Sequence, residues 1–204
     1  MTDTTSTPDR HSSRRERSER AILKAARELI EEGGVGRLTI EGVAARSGVA
    51  KTTIYRRWRD KDDLALALLI ELTAEINPPP DKGDTRKELL TFVETATKVI
   101  TSGGVVSGLV SEIATRPDLS RQYVERIVNV RMAELKTVID RGIERGDLRQ
   151  DTEVRLVHEL LIGPLYYRLL FSKAPMNRRH REDVVDAVLR AFAPVDGSAP
   201  SRRK

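Results

Sequence analysis

LTIEGVAARSGVAKTTIYRRWRDKDDL, residues 38–64, carries two short apolar-patterned segments on either side of Ser47-Gly48-Val49-Ala50. Thr39 places a hydroxyl where it caps the free N–H groups of a helix ending at Ser47-Gly48. Gly48 supplies the positive φ that a tight inter-helix turn requires, and Val49 fits between the two helices. Ala44 is small enough for a close crossing, and Ile40, Val43 and Ile54 complete a miniature core. This is the helix-turn-helix pattern, whose second helix, here over 51–58, enters the major groove of DNA.

Upstream, Ile22, Ala25, Ala26, Leu29 and Ile30 form one stripe at helical spacing, which predicts a helix from Ser18 to the Gly33-Gly34 stop. Downstream, Asp60 caps a helix over 61–76, with Asp63 in a capping-box-like position. That helix is apolar nearly all round, so it reads as a connector buried between two bodies and closed by Asn77-Pro78-Pro79-Pro80. Further helices are expected over 85–102, 105–115, 119–145, 152–172 (capped by Asp151 and kinked at Gly163-Pro164) and 181–193. The predicted fold is all-α with about nine helices. It divides into a basic, disordered arm (1–17), a three-helix DNA-binding domain (18–60), a larger helical domain for effector binding and dimerisation (61–194), and a disordered tail (195–204).

Charge supports the division. Residues 10–60 hold 13 Lys/Arg against 7 Asp/Glu, whereas residues 61–200 hold 20 against 22. A basic N-terminal module suits a polyanion. The chain lacks cysteine, which excludes disulfides and thiolate metal sites, and its three histidines are scattered. It has no apolar run of roughly 18 residues and no signal-like N-terminus, so a cytoplasmic protein without membrane association is expected. No glycine-rich phosphate loop, metal-ligand cluster or nucleophile–base pair appears. An enzyme is therefore not expected, nor is a metal or cofactor.

The pattern L-T-I-E-x-V-A-x-x-x-G-V-x-K-x-T-I-Y-x-x-W-x-D-K-x-x-L, following a helix that ends in Gly-Gly, resembles the N-terminal domain of the TetR family of bacterial transcriptional regulators over about residues 18–70. The resemblance implies a dimeric DNA-binding repressor, occasionally an activator, released from a palindromic operator by a small molecule in the C-terminal domain. Ala50 departs from the pattern, since members often carry a capping Ser or Thr there.

Individual roles follow. Thr39 caps its helix and offers groups to a phosphate. Lys51, Thr52 and Thr53 open the recognition helix, and Tyr55 resembles the family's phosphate-contacting tyrosine. Arg56, with Arg46 behind it, is the candidate base or phosphate reader, and Lys61 is a further phosphate clamp. Trp58 reads as core, and Arg57 and Arg59 as solvated charges. Arg10, Arg14, Arg15, Arg17 and Arg20 form an arm that either reaches the DNA or stays solvated.

For the effector pocket the candidates are Phe92, Tyr123, His158, Tyr166, Tyr167 and Phe171, the aromatic and imidazole groups of three predicted helices. For the homodimer seam, the last two helices pair as a four-helix bundle through Val157, Leu161, Leu165, Val184, Val188 and Phe192. A nonspecific or architectural DNA binder is the competing reading. It shares the basic module but leaves the large near-neutral helical body without a role.

Overall fold

The computed structural model describes residues 10–73, 79–101 and 104–194. These form ten α-helices and no strand: α1 (Arg10–Gly33), α2 (Ile40–Ser47), α3 (Lys51–Tyr55), α4 (Lys61–Thr73), α5 (Thr85–Ile100), α6 (Gly104–Ile113), α7 (Pro117–Tyr123), α8 (Asn129–Arg145), α9 (Val154–Tyr167) and α10 (Arg178–Ala191). A π-helical turn, Val124–Val128, joins α7 to α8 without a break, so the described residues make nine rods. The all-α expectation of about nine helices is met. None of the described helices is long and apolar enough to cross a membrane.

The first three helices fold as their sequence dictates. Ile22, Ala26 and Ile30 of α1 are buried against Val43 and Ile54, with Trp58 closing the same core. Thr39 caps α2, its hydroxyl accepting from the Gly42 N–H at 3.0 Å. Gly48 adopts φ 68°, the left-handed conformation the turn needs. Asp60 accepts from the N–H groups of Asp62 (3.0 Å) and Asp63 (2.8 Å), while Asp63 accepts from the Arg59 N–H (3.3 Å). Asp60 is thus the N-cap of α4, while Asp63 reaches back one residue further, to Arg59, so the arrangement resembles a capping box without closing one. α4 buries Leu64, Ala65, Leu66, Leu68 and Leu69 in a cluster that also takes in Val106, Leu109, Ile113, Leu119 and Ile127. One apolar core therefore runs from α1–α3 through α4 into α6 and the π turn.

The remaining helices enclose a second core of Leu89, Val93, Leu135, Val138, Ile139, Val157, Leu161, Leu165 and Val188. At its edge Glu88 is fully buried. Its carboxylate accepts from the Lys82 N–H (3.1 Å) and from Arg145 (2.9 Å), and lies 2.9 Å from Arg141. Arg145 also bonds Asp81 (2.6 Å), and Arg141 bonds the Pro79 carbonyl (2.8 Å). The polypeptide that follows α4 is thus fastened onto α5 and α8.

Several boundaries differ from expectation. α1 begins at Arg10 instead of Ser18, so residues 10–17 are helical and not a disordered arm. The Arg- and Glu-rich run has good helix propensity, and Arg57 docks it by donating to the Arg15 carbonyl (3.0 Å). Pro117 opens α7, where its missing N–H costs nothing. α9 passes through Pro164 and ends in a second π turn, Arg168–Ser172. Glu153 stands at the start of α9 without a side-chain cap, whereas Asp151 pairs with Arg149 (3.0 Å). α10 starts at Arg178 because Asn177 caps it, accepting from the His180 N–H (3.0 Å). The expectations for residues 1–9, 74–78, 102–103 and 195–204 lie outside the described residues.

Candidate nucleic-acid interface and ligand cavity

α3 is a short helix whose buried side is Ile54, with Trp58 just beyond it. Its other side presents Lys51, Thr52, Tyr55 and Arg56 to solvent, Tyr55 being 51% exposed despite its ring. Thr53 is half-buried beside them. Arg56 is exposed and carries five N–H donors. An aromatic and a guanidinium projecting from a helix braced by the Gly48 turn form a surface shaped to meet base edges and phosphates.

Other predicted contacts are placed differently. Arg46 is held by Glu32 in two bonds, 2.6 and 3.0 Å. Those bonds keep the Glu32 carboxyl below the usual carboxylate range, and Arg46 fastens α2 to the end of α1. Lys51 pairs with Glu41 at 2.8 Å but stays half exposed. Lys61 lies 3.6 Å from Glu112 of α6 with its side chain about one-third exposed. Arg57 is not a solvated charge: its side chain is only 10% exposed, bonds Glu19 (3.1 Å) and the Arg15 carbonyl, and sits near the Trp58 ring. The sequence offered one overlooked hint, since Arg57 lies three residues from Ile54 on the inward side.

A second site lies in the helical body. A cavity of about 430 Å³ is walled by α5, α7, the π turn, α8 and α9. Phe92, Ile100, Val124, Ile127 and Ile162 make most of its surface apolar, which matches the usual character and size of small-molecule sites. Four predicted residues converge there: Phe92, Tyr123, His158 and Tyr166. The Tyr123 and Tyr166 hydroxyls are 2.9 Å apart, and burial pushes both phenols up, so they stay neutral donors. His158 meets Phe92 edge-on, with ring centroids 6.4 Å apart, and burial pushes its imidazole down. Arg131, Arg155 and Glu159, unremarked in the sequence, bring charge to the wall. Tyr167 and Phe171 are not in the cavity. They stack on each other at 5.8 Å on the surface, Phe171 being 73% exposed.

The six seam residues require a correction. Val157, Leu161, Leu165, Val184, Val188 and Phe192 are all buried inside the protomer's own second core. A two-helix stripe must choose one neighbour, and here the fuller stripe faces inward. The apolar groups that α9 leaves exposed are Leu156, Leu160 and Tyr167, continued by Phe171.

Comparison with known proteins agrees with this architecture. Residues 22–68 match the family described as "Bacterial regulatory proteins, tetR family", and residues 79–188 match "Tetracyclin repressor-like, C-terminal domain". The chain belongs to the TetR family of transcriptional regulators. This TetR-family regulator is 31% identical over 188 residues to the HTH-type transcriptional regulator AqdR of Rhodococcus erythropolis, covering 89% of each chain. It is 29% identical to the uncharacterised regulator YdeS of Bacillus subtilis, over 91% of this chain and 93% of that one. Among solved structures, the TetR family transcription regulator SCO0332 superposes with a TM-score of 0.69 at 30% identity, over 87% of this chain and 99% of the other. The helix-turn-helix of this regulator is accordingly a DNA-binding unit.

Proposed function

We propose that this protein is a cytoplasmic homodimeric repressor that binds a palindromic operator through α3 and releases it when a small molecule fills the cavity of the helical body. The supporting observation is the double duty of the π turn between α7 and α8. Val124, Ile127 and Val128 line the cavity, while Arg126 of the same turn pairs with Asp63 in the first turn of α4. A ligand that repositions the turn acts directly on the helix that carries the DNA-binding unit. Such a ligand is mainly apolar, with a hydrogen-bonding group to meet the Tyr123–Tyr166 pair.

Dimerisation is assigned to the exposed face of α9 with its continuation into the second π turn, through Leu156, Leu160, Tyr167 and Phe171. A two-fold pair places two copies of α3 on successive turns of one duplex, roughly 34–36 Å apart. Tyr55 and Arg56 are the principal readers, with Thr39, Lys51, Thr52 and Thr53 flanking them. Arg46 and Lys61 act by holding the unit together. The test is a protection assay on the DNA flanking the protein's own gene, with and without a panel of apolar small molecules. A short two-fold-symmetric footprint that disappears with one of them is expected. Uniform coverage without a boundary would support the nonspecific reading and overturn this one.

A further inference from the structure

Beside the recognition helix lies a cleft of about 600 Å³ that shares Thr53 and Arg56 with the DNA-reading face. One wall is the start of α1, with Arg14, Arg15 and Ser18. The other is the Gly48–Ala50 turn and α3, with Thr53, Arg56 and Arg57. Four arginines and no acidic residue line it. Arg57 is the buried member of the four: one nitrogen bonds Glu19, and another bonds the Arg15 carbonyl. Arg14 and Arg15 are exposed, and no ion pair is recorded for either among the described residues. The cleft exists because α1 extends back to Arg10. Arg57 bonds the first turns of α1 to the DNA-binding unit at this point.

We propose that this cleft is a phosphodiester-binding site, in which Arg14 and Arg15 grip the DNA backbone beside the groove that α3 occupies and Arg57 is the positioning residue that holds them there. The proposal rests on α3 entering the major groove, since that docking brings a phosphate strand past the turn before α3. Guanidinium groups match phosphate oxygens in geometry and charge. A cluster of positive donors with no amide or carboxylate among them carries affinity without sequence information. Because Arg57 anchors the helix in the free protein, little ordering entropy is lost on binding, unlike a flexible arm that must be immobilised.

The experiment uses the full-length protein and two fluorescent duplexes of equal length: one enriched from a random-sequence library by the wild-type protein, and an unrelated one. Affinity is measured against salt concentration. Replacing both residues (Arg14→Gln with Arg15→Gln), at exposed positions, is expected to reduce the slope of log affinity against log salt by about two per bound protomer. Both duplexes should weaken by the same factor, so their ratio holds. Arg57→Gln is expected to reduce the slope while Arg14 and Arg15 remain, with circular dichroism confirming the fold. An unchanged slope in the double variant overturns the proposal, as does an altered ratio between duplexes, which would mean base contact. Arg56→Ala, at the candidate base reader, separates the two readings. If it abolishes the preference while the double variant keeps the full slope, only the cleft fails. If the preference survives Arg56→Ala, the placement of α3 fails and takes the cleft with it.

Discussion

Arg126 and Asp63 join the ligand cavity to the DNA-binding unit: Arg126 sits on the π turn that walls the cavity, and Asp63 is the residue whose other oxygen accepts from the Arg59 N–H at the head of α4. Asp63 is largely buried and Arg126 about one-third exposed. A double-mutant cycle with Arg126→Gln and Asp63→Asn, read by urea denaturation, is expected to show a coupling of about 1 kcal/mol. The same variants should bind DNA yet respond less to any cavity ligand than the wild type does. A coupling near zero would remove the pair from the transmission route.

Tyr55→Ala and Arg56→Ala are each expected to weaken binding to the enriched duplex roughly ten- to hundredfold, in line with about 1–3 kcal/mol for a good base or phosphate contact. Both side chains project from the outer face of α3, so thermal stability should be unchanged. Full affinity in a folded variant would exclude that residue from the interface.

Glu88→Gln should destabilise the fold by about 3–5 kcal/mol, because it leaves Arg141 and Arg145 around a buried neutral amide. Chemical denaturation measures it. The loss should appear without any change in the salt slope of DNA binding, since the network lies in the body, away from α3.

Leu160→Asp tests the dimer face. Leu160 is exposed in the protomer, so the variant should fold normally but sediment as a monomer at micromolar concentration and lose affinity for the two-fold site. The neighbouring core change Leu161→Ala should instead cost about 2–5 kcal/mol of stability. A fully dimeric Leu160→Asp protein would place the seam elsewhere.

His158 gives a pH dependence with a defined sign. Burial disfavours its imidazolium, so the folded chain holds the proton less readily than the unfolded chain, whose imidazole titrates near the ordinary 6.5. Its contribution to stability is intact above that pH and is lost as pH falls through the lower folded value. His180 is shifted in the same direction, so the informative quantity is the difference between wild type and His158→Gln. Unfolding measured at pH 8 and pH 5 should show a smaller acid loss in the variant.

Local signals accounted for much of this molecule. The Thr39 cap, the Gly48 turn, the Asp60 cap and the inward stripe of α1 each depend on residues a few positions apart, and all appear as read. Residue type alone points Phe92, Tyr123, His158 and Tyr166 toward a pocket, and the four do meet. The same reasoning failed for Tyr167 and Phe171. An aromatic residue declares that it will be covered but does not say whether by its own chain or by another surface.

What the sequence determined by itself was therefore the set of helices, their caps and turns, the family, and the basic character of the DNA-binding end. Short-range backbone geometry and hydrophobic periodicity act within one or two turns and are written into neighbouring residues. The tertiary structure alone decided which face of α9 is core and which is left open, that Arg57 fastens α1, and that Glu88 lies beneath two arginines. Burial and charge pairing there depend on groups 38 to 57 positions apart in the chain. Periodicity reports that a helix has an apolar side without naming the neighbour that will cover it.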